Sequence, residues 1–342
     1  MSNGSSNKPT IKTIAKIAGV SHSTVSRALL DDRRITKETT EKIKKIAKKI
    51  GYTPNVMARA LVKRSVPVSI GMIVPSMGSQ TAYNMDYEYI SAEAARREMT
   101  VLLGSSNRDI ELEKQLCQLM CENNASALLI SPISSDVSHV LEICRGKVPV
   151  VFIGGKTGDE EEHYITMDYS HGLRIAVEHL YNLGHRDITL AVYAPDNNTI
   201  EQKIKGYQSA MNELGLPGTV YRQGDSSDTY GAGKVLVRKL LKENKTPTAI
   251  CCASDLMAIG VIDELKLSGI KVPDDISVIG HDDLFLSSIA SFSITTLAIS
   301  ETELAKNALD LAISVIKNPQ NKNGHTMTAS LIKRSTTGKA KP

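Results

Sequence analysis

Close to its N-terminus the chain carries the stretch Gly19-Val20-Ser21-His22-Ser23-Thr24-Val25-Ser26-Arg27. Apolar residues of the preceding segment, 10–18, recur on one helical face, and Gly19 can end that helix because glycine tolerates positive φ. Ser21 is a good N-cap for a second helix, in which Val25 belongs to the buried stripe. The pattern predicts a helix-turn-helix, which places its second helix in the major groove of DNA. An ordinary helical hairpin with a solvated face is the alternative.

Positive charge is concentrated in the segment that carries this motif. Residues 1–65 contain 15 Lys and Arg against 4 Asp and Glu, a formal charge of +11, whereas the rest of the chain carries −7 within a total of +4. Such a basic segment suits a polyanion, whose binding is driven by the release of condensed counterions. A solvated helix would explain the lysine-rich run at 42–49 but not the charge of the whole segment.

Length and composition indicate a globular protein of two or three domains. The chain has 342 residues, of which 41% are apolar and 23% charged, enough to bury substantial cores. Residues 1–9 are rich in Ser and Asn, are expected to be disordered, and lack the apolar core of a secretion signal. No apolar run approaches the ~20 residues of a membrane span. We therefore expect a cytoplasmic protein with no membrane partner.

The five cysteines are odd in number and scattered, which is typical of reduced thiols rather than of a disulfide framework. Cys117 and Cys121 are four residues apart on a predicted helix and could share a metal ion, but no His or second Cys pair lies nearby in the sequence. Neither a metal site nor a cofactor is predicted.

Two further features complete a basic N-terminal domain. Thr36 caps a third helix, so residues 10–53 are predicted to form a three-helix DNA-binding headpiece. Pro54 then breaks the chain, and Asn55 can cap a helix that is too short to be stable alone. We expect residues 54–67 to form a hinge helix and linker.

From residue 68 the pattern changes to short apolar runs that alternate with amphipathic helices. This alternation is typical of βαβ units and predicts an α/β core over 68–342, built from two doubly wound parallel-sheet subdomains. The runs up to residue 153 are assigned to the first subdomain and those from Ile165 onward to the second. A cleft is expected at the carboxyl ends of the strands, where small ligands bind. The tail is predicted as a helix over 301–317 and one strand over 326–333.

Several motifs of the chain match one known pattern. They are the run from Ile14 to Arg27, Gly51-Tyr52-Thr53-Pro54-Asn55, Ala58-Arg59-Ala60-Leu61, Leu183-Gly184-His185-Arg186-Asp187-Ile188 and Val278-Ile279-Gly280-His281-Asp282-Asp283. Through them the chain resembles, over nearly its whole length, the lactose-repressor/galactose-repressor family of bacterial transcription regulators. The resemblance implies a periplasmic-binding-protein-like core and a homodimer on a pseudo-palindromic operator in double-stranded DNA. It also implies that a small molecule between the subdomains sets the DNA affinity.

On the DNA side, the resemblance implies a role for each matching position. His22, Ser23 and Arg27 would meet base edges in the major groove, where an Arg guanidinium can contact G O6 and N7 together. Contacts that position the phosphates are expected from Ser21, Thr24, Ser26 and Asn55. Arg59, on the hinge helix, is also expected to bind DNA. Leu61 would be an apolar wedge in the minor groove, or alternatively a buried dimer contact.

The ligand site is where the chain departs from the family pattern. Arg is usual at the positions of Lys156 and Lys203, and Lys keeps the charge of Arg without its bidentate geometry. The usual Phe before the Asp-Asp pair is His281. We expect a polar effector, a sugar or an anionic phosphosugar. The expected effector-binding residues are Lys156, Lys203 and Asp255, with Ser76, Tyr83 and Asp282 nearby. A solvated or structural role is the alternative for each lysine.

Other classes of protein explain less of the sequence. A solute-binding protein would account only for the core and would need a signal peptide. An enzyme would need a catalytic constellation, and none is evident: the segments Gly155-Lys156-Thr157 and Gly231-Ala232-Gly233-Lys234 both lack required residues of a phosphate-binding loop. A narrower alternative is a global carbon-control regulator of the same family, with a phosphorylated carrier protein as corepressor. The basic docking residue expected for it on the last helix is acidic here, Asp310.

Overall fold

The structure is a computed structural model that describes residues 9–29, 32–52, 68–77, 82–154, 163–194, 198–225, 228–318 and 323–341. Contacts between Cα atoms divide the chain into two units, residues 1–67 and 68–342. No helix among the described residues is long and apolar enough to cross a membrane.

The described part of the first unit contains three helices: α1 (Ile11–Ala18), α2 (His22–Ala28) and α3 (Lys37–Lys49). Each begins at a hydroxyl N-cap, because the side chains of Thr10, Ser21 and Thr36 accept a hydrogen bond from the main-chain N–H three residues later. The helices pack around one apolar cluster, whose fully buried members are Ile14, Val25, Ala28 and Ile43.

The second unit contains two lobes, each built on a six-stranded sheet. The first lobe contains β1 (Ser69–Val74), α4 (Ala82–Arg96), β2 (Thr100–Ser105), α5 (Ile110–Glu122), β3 (Ala127–Ile130), α6 (Ser138–Cys144), β4 (Val150–Ile153), β5 (His163–Met167), α12 (Glu301–Lys317) and β11 (Gly324–Met327). Its strands are all parallel, in the order β11-β5-β4-β3-β1-β2.

The second lobe repeats this plan. It contains α7 (Tyr169–Asn182), β6 (Ile188–Ala194), α8 (Asn198–Glu213), β7 (Thr219–Asp225), α9 (Thr229–Lys242), β8 (Ala249–Cys252), α10 (Asp255–Leu267), β9 (Ser277–His281), α11 (Phe285–Ser288), β10 (Thr295–Ala298) and β12 (Ser330–Ile332). The order is β12-β10-β9-β8-β6-β7, and only β12 is antiparallel. The central strands β3 and β8 are buried at every residue because helices cover both sheet faces.

Two strand assignments made from the sequence are wrong. The run at Ile165 was assigned to the second subdomain, but β5 pairs with β4 of the first sheet, Val151 opposite His163. The strand predicted over 326–333 is two strands, one in each sheet: β11 lies beside β5 and β12 beside β10. Apolar periodicity shows that a segment is a strand, whereas sheet membership depends on long-range hydrogen bonds that it does not encode.

The chain therefore passes between the lobes three times, after β5, after β10 and after β11. The helix that follows β10, α12, contributes Leu304, Ala308 and Leu309 to the core of the first lobe. β4 ends just before Gly154 in the first lobe, and β9 ends just before Asp282 in the second lobe. The polar and charged side chains described below lie near these two strand ends.

Candidate DNA-binding and effector sites

Helix α2 presents a polar row to solvent. His22, Ser23 and Arg27 are exposed, whereas Val25 and Ala28 on the opposite face are fully buried. Thr24 and Ser26 are half-buried and flank this row, and Ser21 is exposed at the cap. The three side chains expected to meet base edges thus share one accessible face of one helix.

Hydrogen bonds within the headpiece fix both ends of α2. The Ser21 hydroxyl accepts from the Thr24 N–H at 3.1 Å, and its oxygen lies 2.8 Å from the Ser23 hydroxyl. At the other end, the main-chain N–H of Asp32 donates to the Arg27 carbonyl oxygen at 3.1 Å. The polar row is therefore presented by a helix whose two ends are fixed within the headpiece.

Asp32, which follows α2, forms an ion pair within the headpiece. The Asp32 carboxylate accepts from the Arg34 side chain at 2.6 Å and from its main-chain N–H at 3.0 Å. These hydrogen bonds hold the pKa of the Asp32 carboxyl well below its usual value. The charge of Arg27 also lowers the pKa of Asp32, so this carboxyl is ionised and ion-paired at neutral pH.

Lys203 lies inside the second lobe rather than on its surface. The side chain is 3% exposed, and its ammonium group donates to the Ala253 carbonyl oxygen at 2.8 Å. The nitrogen also lies 5.2 Å from the centroid of the Tyr169 ring. Burial lowers the pKa of Lys203, and the carboxylates of Asp282 and Asp255 oppose that shift. A solvated role for this lysine does not fit its burial.

Asp255, the first residue of α10, is fully buried and already accepts two hydrogen bonds. Its oxygens take one from the Thr296 hydroxyl at 2.6 Å and one from the Leu284 N–H at 2.8 Å. Burial raises the pKa of this carboxyl to about 7, with a further contribution from the charge of Asp282. The residue joins α10, β10 and the segment before α11, so it holds these elements in register.

His281 and Asp282 form a pair at the carboxyl end of β9. The histidine Nδ1 lies 2.6 Å from a carboxylate oxygen of Asp282, and the imidazole ring stacks on Tyr169 with the centroids 5.8 Å apart. His281 is fully buried, and Asp282 has a φ of 104°, in the region that favours glycine. The His281 Nε2 atom is buried and has no hydrogen-bond partner in the described part of the chain.

A carboxyl pair that the sequence did not indicate lies next to these residues. Asp86, on α4, and Glu301, at the start of α12, share a hydrogen bond between their side chains. Burial raises the pKa of both groups, to about 7 for Glu301, and the charge of Asp282 contributes to each shift. Residues so far apart in the sequence give no local signal of their contact.

The remaining predicted site residues are only partly covered by the described structure. Ser76 is half-buried just after β1, and the backbone of Tyr83 lies in α4. Lys156, Asn55, Arg59 and Leu61, together with the hinge and linker expected over 54–67, lie outside the described residues. Within the described structure, the charges of Asp282 and Asp255 both act on the buried ammonium group of Lys203 and oppose the lowering of its pKa by burial.

Comparisons with known proteins match both units. Residues 10–55 match the family model described as bacterial regulatory proteins, lacI family, and residues 177–337 match the periplasmic binding protein-like domain. Catabolite control protein A of Priestia megaterium is 28% identical over 326 residues, covering 94% of this chain and 95% of its own. The repressor CytR of Escherichia coli is 28% identical over 329 residues, covering 96% of each chain.

Similar relationships hold for other repressors. The transcriptional repressor PurR of Vibrio parahaemolyticus is 26% identical over 333 residues, covering 96% of this chain and 99% of its own. A lac repressor dimer bound to operator and the anti-inducer ONPF superposes with a TM-score of 0.86 at 25% identity, covering 97% of this chain and 100% of the repressor chain. These matches confirm the fold class and the family predicted from the sequence.

Proposed function

Because the chain is a DNA-binding transcriptional regulator of the lacI family of bacterial regulatory proteins, we propose that it is a repressor that binds a pseudo-palindromic operator as a homodimer. A small polar effector in the cleft between the lobes modulates its affinity. Repression requires contact with the chromosome, so the proposed location is the cytoplasm. We propose no catalytic activity for the chain.

The observation that carries this proposal is the exposed row of α2 within a strongly basic segment. His22, Ser23 and Arg27 are accessible on one helix face, and residues 1–65 carry a formal charge of +11. In the proposed complex this row contacts base edges, and the remaining basic side chains neutralise phosphates. The proposed phosphate contacts are Ser21, Thr24, Ser26 and Asn55. Arg59 and the minor-groove wedge Leu61 complete the proposed interface.

The proposed effector contacts are those predicted from the sequence. They are Lys203, Asp255, Asp282, Lys156, Ser76 and Tyr83. The burial of Lys203 beside two carboxylates supports a ligand site at this end of the strands, because buried charged groups collect at functional sites. Both oxygens of Asp255 already accept a hydrogen bond, so its proposed contribution includes holding the site together.

The carbon-control alternative gains no support from the last helix of the first lobe. Asp310, on α12, forms an ion pair of 2.6 Å with Arg97. A phosphorylated partner would meet a carboxylate at this position, and like charges repel. The 28% identity to catabolite control protein A therefore supports membership of the family and not the carbon-control alternative.

The proposed function can be tested with the full-length chain. The chain is used to select the sequences that it binds from a pool of random DNA duplexes. The expected product is an inverted repeat, because a homodimer presents two copies of α2 related by two-fold symmetry. The affinity of the selected duplex should fall steeply with salt concentration, with a slope of roughly −0.9 per neutralised phosphate on a log-log plot. Failure to enrich any sequence from the pool at low salt would contradict the proposal.

A further inference from the structure

The C-terminal half of α3 carries a dense group of lysines. Between residues 42 and 49 the chain has five Lys and no acidic residue. Three of them, Lys45, Lys48 and Lys49, are exposed and form the surface called here the lysine face of α3. Among the residues that the structure describes, no carboxylate forms an ion pair with any of these three side chains. The face therefore presents three ammonium groups to solvent.

The lysine face lies on the side of α3 that is turned away from the apolar core. Ile43 and Ala47 are the buried apolar residues that α3 contributes to the headpiece cluster. Lys45 is two residues from each of them, and two residues correspond to about 200° around an α-helix. Lys48 and Lys49 follow Lys45 by three and four residues, so the three side chains are neighbours on one helix surface.

The lysine face and the polar row of α2 point in different directions. Both helices pack on the same apolar cluster, α2 through Val25 and Ala28 and α3 through Ile43, so each turns its exposed face away from that cluster. A duplex that takes α2 into its major groove lies against the polar row. The lysine face is therefore on a side of the headpiece that contact with the operator bases does not cover.

Concentrating lysines in this way costs helix stability. Lys45 and Lys49 are four residues apart, and like charges at this spacing destabilise a helix. The helix macrodipole favours cations in the last turn, which accounts for Lys48 and Lys49. It accounts neither for Lys45 nor for the absence of acidic residues from the whole run. A bound polyanion would offset the repulsion.

Other charges of the first unit do not neutralise the lysine face. Glu41 precedes Lys45 by four residues but forms no ion pair with it in the described structure, and Asp32 is paired with Arg34. The parts of the unit outside the described residues contribute four basic side chains and one acidic side chain: Lys8, Arg59, Lys63, Arg64 and Asp31. Wherever those parts lie, they add more positive than negative charge.

We propose that the lysine face of α3 binds the phosphate backbone of a second DNA duplex, without regard to its sequence, while the polar row of α2 holds the operator. Charge complementarity selects the phosphates, and the release of condensed counterions supplies the affinity. This inference rests on the proposed function and assigns Lys45, Lys48 and Lys49 to a second surface rather than to the operator phosphates. An operator-bound dimer thereby holds two DNA segments side by side.

Three variants of the full-length chain test this assignment. The glutamine variant combines Lys45→Gln, Lys48→Gln and Lys49→Gln. The arginine variant combines Lys45→Arg, Lys48→Arg and Lys49→Arg, which keeps the charge and so separates loss of charge from a folding defect. The matched control removes three exposed lysines at the end of α9 and just after it, through Lys239→Gln, Lys242→Gln and Lys245→Gln.

The measurement is the capture of a second duplex. Each protein is saturated with the selected operator duplex, and a duplex of unrelated sequence with a different fluorescent label is then added at low salt. Analytical ultracentrifugation gives the numbers of chains and duplexes in the complex. The operator affinity of each protein is measured separately as a function of salt concentration.

The expected wild-type complex contains two chains, one operator duplex and one unrelated duplex. The glutamine variant should capture the unrelated duplex about tenfold or more weakly, with a slope flatter by about two to three units on a log-log salt plot. Its selected half-site and its operator affinity should match those of the wild type. The arginine variant and the matched control should capture the unrelated duplex as the wild type does.

Four results would overturn the inference. They are a wild-type dimer that takes up one duplex only, a complex of four chains on two duplexes, equal loss of capture in the matched control, and a flatter salt slope for operator binding by the glutamine variant. The last result would place the three lysines on the operator phosphates. In each case the wild type still binds a selected operator, whereas failure of the proposed function means that it selects no sequence.

Discussion

The carboxyl groups of Asp86 and Glu301 share a hydrogen bond although one lies on α4 and the other at the start of α12, just after the chain returns from the second sheet. Asp282, from the second lobe, adds its charge to both. Carboxyl groups from both lobes therefore influence one another's pKa where the chain returns from the second sheet to the first.

The stability of the core should depend on pH through this pair. Because the folded-state pKa of both acids is raised, the folded chain binds more protons than the unfolded chain above about pH 4, and its free energy of unfolding falls as pH rises toward about 7. Glu301→Gln keeps a hydrogen-bond donor for Asp86 and removes one titration. We expect the variant to be more stable than wild type at pH 8 by on the order of 1 kcal/mol.

Denaturant unfolding at pH 5 and pH 8 measures this difference. Glu303→Gln, an exposed position on the same first turn, is the matched control and should follow the wild type. The buried histidines, whose pKa values are lowered, add stability as pH rises toward 6.5, but they do so equally in each protein. Parallel pH profiles for Glu301→Gln and wild type would refute the prediction.

Lys203 should contribute to the stability of the folded core as well as to the proposed effector site. The charges of Asp282 and Asp255 favour its ammonium form, and removing one member of a buried group of charges leaves the others uncompensated. We expect Lys203→Met to lower the free energy of unfolding by about 3 kcal/mol. The control is Lys205→Met, an exposed position on the same helix, which should change stability by less than about 0.5 kcal/mol. Equal stability of the two variants would argue against a buried charge at position 203.

The packing of α9 on α10 depends on glycine. A Cβ on Gly260 would lie 2.0 Å from the Tyr230 carbonyl oxygen, whereas a Cβ on Gly172 would meet its nearest atom, on Ala329, at 3.4 Å. Gly260→Ala should therefore destabilise the second lobe by about 2 kcal/mol or more, since main-chain atoms must move. Gly172→Ala should fall within about 1 kcal/mol of wild type. Thermal unfolding compares the two, and a reversed order would contradict this account of the helix contact.

Much of the fold followed from local pattern. The N-caps at Ser21 and Thr36 and the alternation of strands with helices after residue 68 agree with the sequence interpretation, because apolar runs and hydroxyl caps act within a few residues. The family resemblance also led to Lys203 and Asp282, which the structure brings together.

Long-range relationships could not be predicted in this way. The sheet that β5 joins and the division of the tail into β11 and β12 depend on strand pairing across the chain. The pairing of Asp86 with Glu301 and the unused nitrogen of His281 depend on the packing of both lobes. For His281, the one sequence feature that pointed to the position was a histidine where the family usually has Phe.

The central claim, that the exposed row of α2 reads the operator, is tested most directly by the half-site that His22→Gln selects from random duplexes. We expect a changed half-site of unchanged spacing, with a salt slope within about one unit of wild type. Glu41→Gln, an exposed change on α3, should select the wild-type half-site. Selection of the wild-type half-site by His22→Gln, or loss of both specific and non-specific binding in that variant, would contradict the claim.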